Sequence, residues 1–284
     1  MADYPAIEIT FRTPIDPAVH DRLYAQLDDF EPVAIHDDEA ETRWRVFFRS
    51  ADARDAALLA LASQADLAAS AVDVPDEDWA RRSQENLRAI EAGGLVIAPP
   101  WDVPGRSGDA GGARRDLPVI IIEPSTGFGT GHHATTRLCL RILQTLELRG
   151  ARVLDIGTGS GVLALAAWKL GASDVVAVDN DPDALDNARE NVARNGAGPS
   201  IDLVCDDLGG LRIQRADVVL GNLTGAVLVR YASELSGLAV DGGYLVLSGF
   251  APQDAILVRT AFKELAVIDE TVEGEWAALT LRRS

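Results

Sequence analysis

Val153-Leu154-Asp155-Ile156-Gly157-Thr158-Gly159-Ser160-Gly161 passes from an apolar strand into a turn with three glycines at alternate positions. Glycine lets the backbone turn sharply and come close to a ligand where a Cβ would clash. A helical pattern follows over residues 161–170, then a second apolar strand over 174–178 that ends in Asp179. An acid at that strand end can accept both hydroxyls of a ribose. This combination points to a nucleotide-cofactor site. Its spacing narrows the choice, because a dinucleotide fold reads Gly-x-Gly-x-x-Gly and has no need of an acid two residues before the first glycine, where Asp155 stands.

Outward from this turn the pattern is regular. Apolar strands over residues 152–156, 174–179, 201–205, 216–221 and 243–248 alternate with helices over 161–170, 182–195, 224–238 and 252–264, and two strands over 265–272 and 275–282 close the chain. Alternating βα units with a terminal hairpin predict an α/β fold: an open, mostly parallel sheet with one antiparallel strand near its edge. Ligands in such sheets bind at the carboxyl ends of the strands. Asp179-Asn180-Asp181-Pro182 lies at one such end, with Asp179 as the ribose ligand, Asp181 as a helix cap and Pro182 suited to the first helical turn. Asp206-Asp207 ends the third strand, and Gly221-Asn222-Leu223-Thr224 ends the fourth. The Asn222 side-chain oxygen can accept from an amine, and the residue can equally cap the helix that starts near Thr224.

Ahead of this region, residues 7–11, 16–27, 32–36, 43–48, 51–64 and 67–74 read β, α, β, β, α, β, with Trp44, Val46 and Phe48 on one strand face. That order predicts a small ferredoxin-like α+β domain over residues 1–75, with substrate recognition as its role. Residues 76–116 read as a linker: a helix from the acidic 76–78 to about 91, a strand over 93–98, and an exposed loop over 99–116. Residues 117–284 form the third segment, opening with a strand over 117–123, a glycine-rich turn over 124–131 and a helix over 132–146.

The 284 residues, 47% of them hydrophobic, suffice for one ordinary domain and a smaller one. No apolar run approaches the roughly 20 residues of a membrane span, and the N-terminus lacks a basic-then-apolar signal, so a cytoplasmic protein that engages no membrane is expected. Cys139 and Cys205 have no metal or CxxC spacing and are expected to be buried and reduced. Adjacent His132 and His133 point about 100° apart on a helix, with no third ligand near in sequence, so no metal site is expected. The net charge of −18 argues against binding nucleic acid through phosphates and suits a basic macromolecular partner. Residues 1–75 concentrate it, with 15 acids against 6 arginines.

The Asp155 to Gly161 stretch resembles motif I of class I S-adenosylmethionine (SAM) methyltransferases. Joined with Phe128-Gly129-Thr130-Gly131-His132-His133-Ala134-Thr135-Thr136-Arg137-Leu138-Cys139-Leu140, with Asp179-Asn180-Asp181-Pro182, with Asn222-Leu223 and with Leu247-Ser248-Gly249, it makes the chain similar to the PrmA family, bacterial methyltransferases of a ribosomal protein at the stalk base. The resemblance implies a seven-stranded Rossmann-like methyltransferase sheet behind a small recognition domain. It implies a SAM site made of Thr130, Gly131, Asp155, Gly157, Thr158, Gly159, Gly161, Asp179, Asn180, Asp206, Asp207 and Asn222, with an acid after the third strand meeting the adenine amino group. Thr130 and Asn222 would stand beside the acceptor nitrogen as the catalytic pair, with Phe128, His132, Leu223 and Thr224 around the substrate.

The implied reaction is methylation of lysine side chains and an N-terminal α-amine of a basic ribosomal protein by a monomer that binds no nucleic acid. The chain departs from the family at Ala80-Arg81-Arg82-Ser83, where a second tryptophan is usual after Asp78-Trp79, and at Ala134, where proline is common. Three alternatives stand beside this reading: a small-molecule methyltransferase, which full activity without residues 1–75 would favour, the same chemistry on a different protein, and a SAM-binding factor without turnover.

Overall fold

The computed structural model describes residues 3–11, 23, 27, 30, 32–37, 43–61, 67–75, 87–104, 117–124 and 132–284. The helix expected to start at 76–78, much of the 99–116 loop, most of the 16–27 helix and the motif residues Phe128, Thr130 and Gly131 lie outside these. The chain divides into two compact units, residues 1–86 and 87–284.

In the first unit, strands β1 (Asp3–Phe11), β2 (Ala34–Asp37), β3 (Arg43–Phe47) and β4 (Leu67–Pro75) form an antiparallel sheet in the order β2-β3-β1-β4. Helix α1 (Ala51–Leu61) follows β3, and Leu23 and Leu27 are helical. Alternate residues of β1 and β3 meet in register, Ile7 with Val46 and Ile9 with Trp44. Period-two alternation sends these side chains to one face. There they pack with Phe48, Leu23, Leu27, Ala57 and Leu61, as the one-face reading of Trp44, Val46 and Phe48 requires.

The second unit opens with β5 (Ile90–Ala92), β6 (Leu95–Ala98) and β7 (Val119–Ile121), a small sheet of their own. Residues 90–92 are therefore strand, which corrects the expected helix to residue 91. The cause is the Gly93-Gly94 turn, with Gly93 at φ +66°, which folds β5 back on β6 and pairs Ile90 with Ile97. Gln144 secures the turn, accepting from Gly94 N (2.5 Å) and donating to Ala92 O (2.7 Å).

The main sheet contains β8 (Arg152–Ile156), β9 (Asp174–Asp179), β10 (Ile201–Cys205), β11 (Ala216–Asn222), β12 (Ala239–Phe250), β13 (Ala266–Glu273) and β14 (Trp276–Arg282). Their order is β10-β9-β8-β11-β12-β14-β13, with the first five parallel and β14 antiparallel to both neighbours. Val153, Val175, Val218 and Val246 project into one core, shared with α2 (Ala134–Leu143), α3 (Val162–Lys169) and α4 (Pro182–Arg194). Leu154, Val176, Val219 and Leu245 project into the other, against α5 (Gly225–Arg230), α6 (Ala232–Leu238) and α7 (Ala255–Ala261). Strands with both faces covered read as continuous apolar runs, which is why they were visible in the sequence.

Two further corrections arise here. The helix expected over 224–238 is two helices, because Tyr231 leaves helical geometry at φ −108°, ψ 24°. Cys139 is buried as expected, but Cys205 is exposed, since it is the last residue of an edge strand with no neighbour on its outer side.

Candidate active site

The chain turns from β8 to β9 and β10 on one side and resumes at β11 on the other, so the carboxyl end of β8 is the point where connections diverge. This is where an open α/β sheet opens a crevice. The glycine turn after β8 occupies it, with Gly157, Gly159 and Gly161 at φ +70°, +53° and +80°, values that favour glycine. A Cβ at Gly157 would overlap Leu223 Cδ2, so the turn and the β11 end are packed as closely as a missing side chain permits.

Asp155 lies beneath the turn, 1% exposed, with one carboxylate oxygen accepting from Thr158 Oγ1 (2.6 Å) and from Ala164 N (3.0 Å). It thereby ties the turn to the first residues of α3. Burial pushes its carboxyl up to about 6, against the Thr158 and Ala164 bonds that favour ionisation, and the nearby Asp179 charge adds to the rise. Asp179, at the end of β9, accepts from Gly159 N (2.9 Å) at one oxygen and from Asp181 N (3.1 Å) at the other. Asp181 caps α4 by accepting from Asp183 N. Asn191, fully buried, accepts from Glu123 N and donates to Ser160 O, so it joins the turn to the segment that follows β7.

Two adjoining cavities open over this end of the sheet. One, of about 490 Å³, is lined by Ile156, Gly157, Val178, Asp179, Asn180, Asp206, Asp207, Leu208, Leu223, Val227, Arg230 and Tyr231. The other, of about 590 Å³, shares Gly157, Asp179, Asn180, Leu223 and Val227 with it and adds His133, Thr135, Gly159, Asn222, Thr224, Gly249 and Trp276, among others. At the second, Asn222 donates through Nδ2 to Thr136 Oγ1 (3.3 Å), and its buried Oδ1 has no hydrogen-bond partner among the described residues. A buried acceptor left unpaired costs about 1–3 kcal/mol, so it marks a place where a donor is to be received.

The family model described as "Ribosomal protein L11 methyltransferase (PrmA)" matches residues 18–284. The chain belongs to this family. It is 41% identical over 218 residues to the ribosomal protein L11 methyltransferase of Pelotomaculum thermopropionicum, covering 76% of this chain and 68% of that protein. Against the Pseudomonas aeruginosa protein of the same name it is 38% identical over 242 residues, covering 82% and 78%. The solved structure of a ribosomal protein L11 methylase from Lactobacillus delbrueckii subsp. bulgaricus matches with a TM-score of 0.62 at 26% identity, covering 70% of this chain and 99% of that one.

Set against the residues read from the sequence, this PrmA-family chain brings Gly157, Gly159, Asp179, Asn180, Asp206, Asp207, Asn222, Leu223 and Thr224 to the two cavities. Asp155, Thr158 and Gly161 stand behind the wall, where they shape the turn. His132 contacts Arg88 O through Nε2 (2.8 Å), and it is His133 that lines the second cavity. Burial, reinforced by Arg137, holds the His133 imidazole below its ordinary value. His133 stacks edge-on against Trp276, ring centroids 4.6 Å apart. Below them Glu273 pairs with Arg137 and Arg141, whose charges outweigh the upward push of burial and hold its carboxyl low. Sequence reading missed Trp276, which reaches the site from the terminal hairpin, and Tyr231, which stands between α5 and α6 within a stretch read as one helix.

The pH response of cofactor affinity follows from Asp155. Its folded value of about 6 lies above the ordinary carboxyl, so it is protonated below that pH, and a cationic ligand nearby favours the ionised form. SAM affinity, measured by calorimetry, is expected to weaken as pH falls through about 6, and Asp155→Asn is expected to remove this dependence together with about tenfold of the affinity at pH 8.

Proposed function

We propose that this chain is a SAM-dependent N-methyltransferase that transfers methyl groups to amines, lysine side chains or an N-terminal α-amine, of the large-subunit ribosomal protein L11. The observation that carries the chemistry is the unpartnered Asn222 Oδ1, buried beside a cavity that continues into a glycine turn and Asp179. The residues present fit the cofactor. Asp179 has an acceptor lone pair left on each oxygen for a ribose diol, and Gly157, with no Cβ, lets Leu223 pack against the turn that borders both cavities. Asp206 and Asp207, beside Leu208 and Tyr231, suit an aminopurine with an apolar face. Bound there, SAM supplies an electrophilic methyl group on a cationic sulfur.

Asn222 would accept an N–H of the substrate amine through Oδ1, which leaves the nitrogen lone pair free to be aligned. Thr130 is assigned to the same nitrogen, and Gly131 to the cofactor. Phe128, His132, Leu223 and Thr224 are assigned to the substrate. The wall of Leu223, Val227 and Trp276 excludes water and favours the neutral amine over the ammonium ion. A lysine amine, ordinarily near 10.4, must lose its proton to solvent before it is held. The rate at limiting substrate is therefore expected to rise close to tenfold per pH unit between about pH 6.5 and 8.5; a flat profile would point to a protein base instead.

The first unit, with its antiparallel order β2-β3-β1-β4, is proposed to be a ferredoxin-like recognition domain over residues 1–75. The linker and loop are proposed over residues 76–116, their β5 and β6 strands packing within the second compact unit, and the methyltransferase domain over 117–284. The partner is a basic protein, in keeping with the charge of −18. We place the enzyme in the cytoplasm as a monomer without nucleic-acid or membrane partners. No helix among the described residues is long and apolar enough to span a membrane. The test is incubation of the full chain with labelled SAM and purified ribosomal protein L11, followed by mass spectrometry. Label on lysine or the N-terminal amine supports the assignment, and cofactor binding without label on the protein refutes it.

A further inference from the structure

A third cavity, of about 780 Å³, lies beside the acceptor cavity and shares Gly249 and Trp276 with it. It runs between α5 and α7, walled by Val229, Leu257, Phe250 and Ala261. Val229 and Leu257 are 42% and 61% exposed, so apolar surface faces solvent there. Neighbouring exposed apolar side chains at the rim of a reactive cavity mark a binding surface more often than isolated ones do. One charged residue lies among the lining groups. Asp254 makes no capping bond to α7, and among the described residues its carboxylate has no hydrogen-bond or ion-pair partner.

We propose that this groove is the docking subsite for the polypeptide that flanks the methyl-accepting amine, taking an apolar side chain over Val229 and Leu257 and a neighbouring cationic side chain at Asp254. The proposal rests on the amine-methylation reading above. Continuity is the first argument, since the two cavities share Gly249 and Trp276, and a chain that delivers an amine to Asn222 in one has its adjacent residues within reach of the other. Charge is the second, because an unpaired carboxylate in an apolar wall of a chain of net charge −18 selects a segment that is both apolar and basic. A free amine metabolite would fill the acceptor cavity and leave this groove untouched.

The test is steady-state methylation of ribosomal protein L11 by the full chain and by Val229→Ser, Leu257→Ser and Asp254→Asn. The first two replace solvent-exposed side chains, and SAM affinity serves as the control for folding. The expected result is a KM for the protein raised about fivefold to thirtyfold in Leu257→Ser. A smaller rise is expected in the other two, a weakened salt dependence in Asp254→Asn, and kcat and SAM affinity unchanged throughout. An active parent with KM unmoved in all three variants overturns the groove while leaving the enzyme reading intact. Loss of a concentration-dependent dimer in Leu257→Ser, seen by sedimentation without a change in KM, overturns it in favour of a second copy of this chain. Inactivity of the parent on any protein, with SAM bound, refutes the reading on which the groove depends, and the groove with it.

Discussion

Replacing Asn222 with alanine is expected to lower kcat for protein methylation by about a hundredfold to a thousandfold, with SAM affinity changed less than about fivefold. The asymmetry comes from where the amide sits. Nδ2 is engaged by Thr136 Oγ1, while Oδ1, buried and without a hydrogen-bond partner among the described residues, is proposed to receive the reacting amine. Removing it leaves Asp179 and Asp206, the carboxylates proposed for the ribose and the adenine, in place. Thr136→Val extends the same argument. Valine cannot accept from Nδ2, so the amide is free to turn over, and kcat should fall about tenfold while Thr136→Ser restores it. Single-turnover rates at saturating cofactor, set beside SAM affinities, check both. A loss of cofactor affinity in Asn222→Ala as large as the loss of kcat would refute the assignment to the acceptor.

Gly249→Ala is expected to be the most damaging conservative change in the chain. Gly249 follows Ser248 near the end of β12 at φ +101°, a conformation that costs any residue with a Cβ, and the added carbon would overlap the Leu223 backbone carbonyl. Leu223 N is itself bonded to Ser248 O (3.0 Å), so a shift of Leu223 away from the added carbon would strain that bond. A loss of about 3 kcal/mol or more is expected. In a thermal melt of the second unit this is a shift of several degrees. Where the variant still folds, it should also be inactive, because Leu223 is next to Asn222. A melt within a degree of the parent would show that the strand end adapts.

Most of the turn and strand-end geometry proposed to hold the cofactor was legible in the sequence because its requirements are local. Asp155, Gly157, Gly159 and Gly161 lie within seven residues, and Asp179 within one βα unit. Each is demanded by backbone geometry that few other residues satisfy. The sheet was legible for a related reason: strands covered on both faces must be apolar throughout. What could not be read was everything that arrives from a distance. Trp276 reaches the cavity only because β14 runs antiparallel beside β12, and nothing near it in sequence signals a ligand. Gln144 and Asn191 look like ordinary helix polars, yet one secures the β5–β6 turn and the other joins Ser160 to Glu123. Residues 90–92 read as the tail of a helix until the glycine pair and the Ile90–Ile97 pairing override local preference.

Leu223 touches more of this design than any catalytic group. Its side chain sits where a Cβ of Gly157 would be, and its backbone where a Cβ of Gly249 would be, so one residue is wedged between the glycine turn and the end of the neighbouring strand, next to the Asn222 amide proposed for the acceptor. A ligand that displaces the turn must therefore displace the acceptor group as well. Binding of SAM and of the protein is therefore expected to be linked, each changing the other's affinity by the same factor, which calorimetry of SAM with and without the protein substrate would read.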